Sequence, residues 1–127
     1  MDEHQYLIFV VEDDVGMRQA LQRLLRTSGF RTELFEDAEA WLASGIARGA
    51  DCLVLDVHLP GASGIEAYAG LGGGRPPAVF ITSHDRQAVR DAATRAGGCA
   101  VLPKPFRGCD LLDAIGQAIR RGTGVDP

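Results

Sequence analysis

The chain alternates between short apolar runs and longer stretches in which apolar residues recur every three or four positions. Tyr6 to Val11 (YLIFVV) is apolar and partly β-branched, the composition of a buried strand. Met17, Leu21, Leu24 and Leu25 then recur at helical spacing, and Gly29 reads as the C-cap. Thr32 to Phe35 reads as a second strand, and Ala38, Trp41, Leu42 and Ile46 mark a second helix. Cys52 to Asp56 is a third strand, and a short helix follows from Gly64 to about Leu71. The run Gly72-Gly73-Gly74-Arg75-Pro76-Pro77 cannot continue a helix. With no strand before it and no helix starting at its end, it reads as a surface loop rather than a phosphate cradle. Ala78 to Thr82 is a fourth strand, and Arg86 to Ala96 a fourth helix with Asp85 or Ser83 as its N-cap. That helix offers mostly alanine to the core (Ala88, Ala92, Ala93 and Ala96, with Val89), so it should be weakly anchored. Ala100 to Leu102 is a short fifth strand, and Leu111, Leu112, Ile115, Ala118 and Ile119 form the face of a fifth helix.

Five strand–helix units imply an α/β fold. Strands buried on both faces and joined by helices form a parallel sheet with right-handed crossovers. The simplest arrangement is a doubly wound, flavodoxin-like (βα)5 sheet in the order 2-1-3-4-5. One domain is expected over residues 1–121, with 122–127 as a flexible tail or the start of a linker.

Composition narrows the class. At 127 residues the chain fits one domain that buries roughly two-thirds of its unfolded surface. The net charge is 13 − 17 = −4, which argues against direct binding of nucleic acid. No apolar run approaches the roughly 18 residues of a membrane span, and the acidic, polar start is unlike a signal peptide. Cys52, Cys99 and Cys109 lack metal or disulfide spacing, so reduced thiols in a cytoplasmic protein are expected.

In such sheets ligands bind outside the carboxyl ends of the strands. Strand one ends in Glu12-Asp13-Asp14, strand three in Asp56 and strand four in Thr82-Ser83-His84. Strand five is followed by Pro103-Lys104-Pro105. In the order 2-1-3-4-5 these groups converge on one crevice. Two carboxylates about 4 Å apart repel by roughly 4 kcal/mol at an effective dielectric near 20. Either one is protonated or a cation sits among them. Mg²⁺ suits oxygen donors with positions left for water and a phosphate. Lys104 adds positive charge and Thr82 a hydroxyl. Together these are the parts of a phosphoryl-transfer site with a carboxylate nucleophile.

The motifs "VVEDD", "LVLDVHLPGASGIE", "VFITSHD" and "LPKPF" resemble the successive motifs of the response-regulator receiver domain of two-component signalling. The resemblance runs from about Tyr6 to Arg121 and is nearest to receivers of the FixJ/NarL type. It implies that Asp56 is the phosphoacceptor, that Asp13 binds Mg²⁺ directly and that Glu12 acts on the ion through water. It implies a third protein ligand in the backbone carbonyl of His58. Thr82 and Lys104 match the hydroxyl and the lysine that hold the phosphoryl group, and the Lys104–Pro105 bond is expected to be cis. The implied partner is a sensor histidine kinase or phosphotransfer protein. The implied output is a switched partner or effector surface in transcriptional regulation, with a possible homodimer through helix four, strand five and helix five. The domain would catalyse only its own phosphorylation and dephosphorylation.

One position departs from the family. Val101 stands where the family usually has Tyr or Phe, three residues before the lysine. A phosphorylation-independent binding module or a relay-type receiver therefore stays open. An aspartate-nucleophile phosphatase normally needs a second Asp two positions after the first, where this chain has His58. A flavodoxin-type flavin carrier needs a glycine- and hydroxyl-rich loop where Glu12-Asp13-Asp14 would repel phosphate.

Overall fold

The computed structural model describes residues 5–122. Five parallel strands form one sheet: β1 (Leu7–Val11), β2 (Arg31–Phe35), β3 (Cys52–Asp56), β6 (Ala78–Thr82) and β7 (Ala100–Pro103). Their order is β2-β1-β3-β6-β7, the arrangement the sequence predicts. β3 and β6 are buried at every residue, while the edge strands β2 and β7 are only partly covered. That gradient explains why the central strands read as continuous apolar runs. A two-stranded hairpin, β4 (His58–Leu59) with β5 (Ala62–Ser63), follows β3 and is not marked by any apolar pattern.

Side chains on alternate strand positions feed two cores. Ile8, Val10, Val54, Val79 and Ile81 pack with Leu21 and Leu25 of α1 (Val15–Thr27) and with Leu111 and Ile115 of α5 (Gly108–Gly122). Phe9, Leu53, Leu55 and Phe80 pack on the other face with Trp41 of α2 (Ala38–Ala43) and Tyr68 of α3 (Gly64–Ala69). Ala93 of α4 (Gln87–Arg95) joins that face. α5 runs through Gly122, one residue into the expected tail, whose remainder, 123–127, lies outside the described residues.

The helix ends carry two corrections. The second helix stops at Ala43, because Ser44 and Gly45 (φ 81°) turn the chain. Ile46 is therefore not on it, and Leu42 and Ile46 stay 44% and 47% exposed. The Trp41 indole donates to the Ala47 carbonyl and pins the returning loop at 3.1 Å. The fourth helix is capped by neither Asp85 nor Ser83. Its N-cap is Arg86, which makes no side-chain cap bond, because the Asp85 carboxylate is taken by Arg90 at 2.7 Å. Ala88, expected on the buried face, is exposed. α1, by contrast, ends as expected. Gly29 (φ 97°) follows it, and the Gly29 and Phe30 N–H groups bond back to Arg26 and Leu25.

Candidate functional site

The carboxyl ends of β1, β3, β6 and β7 meet at one crevice. Glu12 leaves β1 fully buried, Asp56 ends β3 at 4% exposure, and Thr82 ends β6 fully buried. Lys104 directly follows β7, and the Lys104–Pro105 bond is cis. The Lys104 ammonium lies 3.1 Å from Glu12 Oε1 and 3.2 Å from Asp56 Oδ2, bridging the two carboxylates. Backbone donors take their other oxygens: Asp14 N–H donates to Glu12 Oε2 at 3.0 Å, and His58 N–H to Asp56 Oδ1 at 3.0 Å. Carboxylate oxygens of Glu12, Asp13 and Asp56 all lie within 4.8 Å of one another, with Asp13 exposed.

Asp14 belongs to the helix rather than the site. Its carboxylate accepts the Met17 N–H at 2.7 Å as the N-cap of α1. Thr82 also has other work in this structure. Its hydroxyl accepts the His84 N–H at 3.0 Å and donates to the His84 carbonyl at 3.2 Å. His58 sits in β4 with its N–H on Asp56, and its ring meets that of His84 edge to face.

The electrostatics follow from burial and spacing. Burial, together with the negative charge of Asp56, pushes the Glu12 carboxyl above its usual range, against the Asp14 N–H and Lys104, which pull it down. Burial works against the charge on Lys104, but the Glu12 and Asp56 carboxylates outweigh it and hold its pKa above the ordinary value. The amine is thus a fixed cation at neutral pH. One cation among three carboxylates leaves the cluster negative, and the donors are all hard oxygens. That set suits a divalent ion of the Mg²⁺ kind.

The site also has two supporting members besides the strand-end residues. The Arg18 guanidinium donates to the carbonyls of Glu12 at 2.8 Å and Asp13 at 3.3 Å, holding the acidic turn from one turn into α1. The available signal was spacing: helix side chains point back toward the N-terminus, so a residue four after the N-cap reaches the preceding turn. Gly64 is the second. A Cβ there would lie 2.1 Å from the Asp56 carbonyl oxygen, so only glycine lets α3 start against the end of β3.

Known proteins with this pattern are numerous. The family model described as "Response regulator receiver domain" matches residues 8–116. Nodulation protein W of Bradyrhizobium diazoefficiens is 39% identical over 117 residues, covering 91% of this chain and 52% of that protein. The transcriptional regulatory protein FixJ of the same organism is 34% identical over 116 residues, covering 90% and 57%. The chain thus spans about half the length of these relatives. Among solved structures, the response regulator StyR superposes with a TM-score of 0.84 at 40% identity, over 95% of this chain and 62% of that one. FixJ-N gives 0.82 at 30% identity, over 92% and 95%. A CheY-like receiver from Methanospirillum hungatei gives 0.86 at 21% identity, over 97% and 100%, a likeness of fold.

Proposed function

The chain belongs to the response regulator receiver domain family, and on that premise we propose that Asp56 accepts a phosphoryl group from a histidine kinase or phosphotransfer protein. The observation that carries this reading is the Lys104 bridge: a buried strand-end carboxylate held by an ammonium at 3.2 Å with Glu12 and Asp13 beside it. An Asp56 oxygen forms the new O–P bond while the P–N bond to the donor histidine breaks. The histidine leaves as imidazole. Lys104 meets the incoming phosphoryl oxygens with a full positive charge, which costs no reorganisation at the moment of transfer. Mg²⁺, held by Asp13 and Asp56 with the His58 carbonyl and by Glu12 through water, would neutralise the phosphoryl charge. The reaction is stoichiometric, so the domain modifies itself rather than turning over a separate substrate.

Output follows from Thr82. To bind the phosphoryl group its hydroxyl must leave the His84 backbone, and that shifts the loop into α4. The α4–β7–α5 face is the proposed partner or dimer surface. A role in transcriptional regulation is proposed from the relatives named above. Val101 favours a second reading. It is half-buried against the core shared with Val89 and Ala92, and no ring is present to swing behind Thr82. A relay-type or phosphorylation-independent receiver would need no such switch.

Intact mass after incubation with acetyl phosphate and Mg²⁺ tests the chemistry. One added phosphoryl group is expected, absent in Asp56→Asn and absent with EDTA. Full labelling of Asp56→Asn would overturn the assignment.

A further inference from the structure

His58 and His84 stand on different connections at the mouth of the crevice, one in β4 after β3 and the other in the loop after β6. Both are exposed. Their ring centroids are 4.8 Å apart with planes at 79°. Among the described residues no other side chain engages either imidazole, so ring nitrogens remain to bind something else. Two imidazoles sharing one ion at about 2.1 Å place their ring centres about 4.5–5.2 Å apart for coordination angles between square and tetrahedral. The observed separation falls inside that range, and turning one ring out of its edge-to-face contact would bring a nitrogen of each onto a shared ion. Imidazole also selects a different metal from the neighbouring carboxylates. Nitrogen donors suit Zn²⁺ and its later transition-metal relatives, whereas the all-oxygen pocket suits Mg²⁺.

We propose that His58 and His84 form a two-imidazole site for Zn²⁺, separate from the acidic pocket, with water completing the coordination. The site would bear on the chemistry through the backbone. His58 N–H is bonded to Asp56 Oδ1, and His84 N–H to Thr82 Oγ1. An ion shared by the two rings ties the β3 and β6 connections together and keeps the Thr82 hydroxyl on His84. Zn²⁺ therefore slows phosphorylation. This regulatory half rests on the phosphoacceptor reading, while the binding itself does not.

Titration calorimetry with Zn²⁺ in excess Mg²⁺ reads the site directly. One ion per chain is expected. Affinity should fall at least ten-fold in His58→Asn and in His84→Asn, and about as far in the double variant, because one imidazole cannot chelate. His4→Asn and Asp13→Asn should leave it unchanged. Glutamine variants repeat the test should an asparagine variant lose its melting transition. No stoichiometric binding, binding that survives both histidine substitutions, or binding lost in Asp13→Asn would each overturn the site. With Zn²⁺ saturating, acetyl-phosphate labelling should slow several-fold in the parent chain and not in His84→Asn. Unslowed labelling with Zn²⁺ bound overturns the regulatory half. Absent labelling without Zn²⁺ counts against the phosphoacceptor reading alone.

Discussion

Asp13 and Asp14 are adjacent in the chain and do opposite work. Asp13 adds an exposed negative charge beside Asp56, whereas Asp14 caps α1 through Met17 N–H. Asp13→Asn should therefore raise the unfolding temperature in Mg²⁺-free buffer, by the equivalent of up to about 1 kcal/mol, and abolish the stabilisation that added Mg²⁺ confers. Asp14→Ala should cost about 0.5–2 kcal/mol for the lost cap and keep the Mg²⁺ response. Melts with and without Mg²⁺ compare the two, and equal loss of the Mg²⁺ response in both would mean that the acidic cluster is misassigned. Lys104 gives a pH test. It is the only lysine among the 13 basic side chains, so its amine resonance needs no sorting from other lysines. Its folded pKa is raised above 10.5, so its contribution to stability is complete below that pH and is lost as pH rises through the higher folded value. Nitrogen NMR of the amine should show a midpoint above the ordinary value that falls in Asp56→Asn. A midpoint that ignores Asp56→Asn would break the bridge.

At the scale of elements, α4 is anchored more weakly than α5. Its cap residue Arg86 has no side-chain oxygen to accept from the N–H groups of the first turn, and within the helix only Ala93 is fully buried. α5 instead buries Leu111, Ile115, Ala118 and Ile119. Amides of α4 should thus exchange with solvent faster than those of α5. On phosphorylation or beryllofluoride binding, protection should change across residues 83–96. A change confined to the Asp56 loop would favour the relay reading. The junction of β3 with α3 should behave in the reverse way, as a rigid one. Gly64→Ala forces a Cβ onto the Asp56 carbonyl and should destabilise by on the order of 2 kcal/mol or more, displacing Asp56 and slowing its phosphorylation. Denaturant melts and labelling rates read the two effects separately.

The whole molecule places like charges together at one edge of its sheet, where the hydrophobic layers keep them in place. The two hydrophobic layers hold the strand ends, and the strand ends carry the carboxylates. Any ion that binds only the folded site adds stability by mass action, about 2.7 kcal/mol at a hundred times its dissociation constant. Mg²⁺ should accordingly raise the unfolding temperature of the parent chain, and the gain should vanish in Asp56→Asn. No helix among the described residues is long and apolar enough to cross a membrane.

The sequence alone carried the strand order, the two-faced core and the four corners of the site. Apolar runs and helical spacing report burial directly, and a parallel sheet must gather its strand ends on one edge. Glu12, Asp13, Asp56, Thr82 and Lys104 were legible because each is polar where the pattern ends. Pairwise geometry was not. That Lys104 bridges Glu12 and Asp56 is decided by contacts between segments far apart in the chain, whereas Asp14 turns to the Met17 N–H and the Thr82 hydroxyl to the His84 backbone through local bonds that leave no periodic trace. The cap of α4 differs from the expected one for a local reason, since Arg90, five positions on, takes the Asp85 carboxylate. The meeting of His58 and His84 is the clearest case. Two exposed rings 26 positions apart leave no periodic trace, and only the packing of two loops on adjacent strands brings them together.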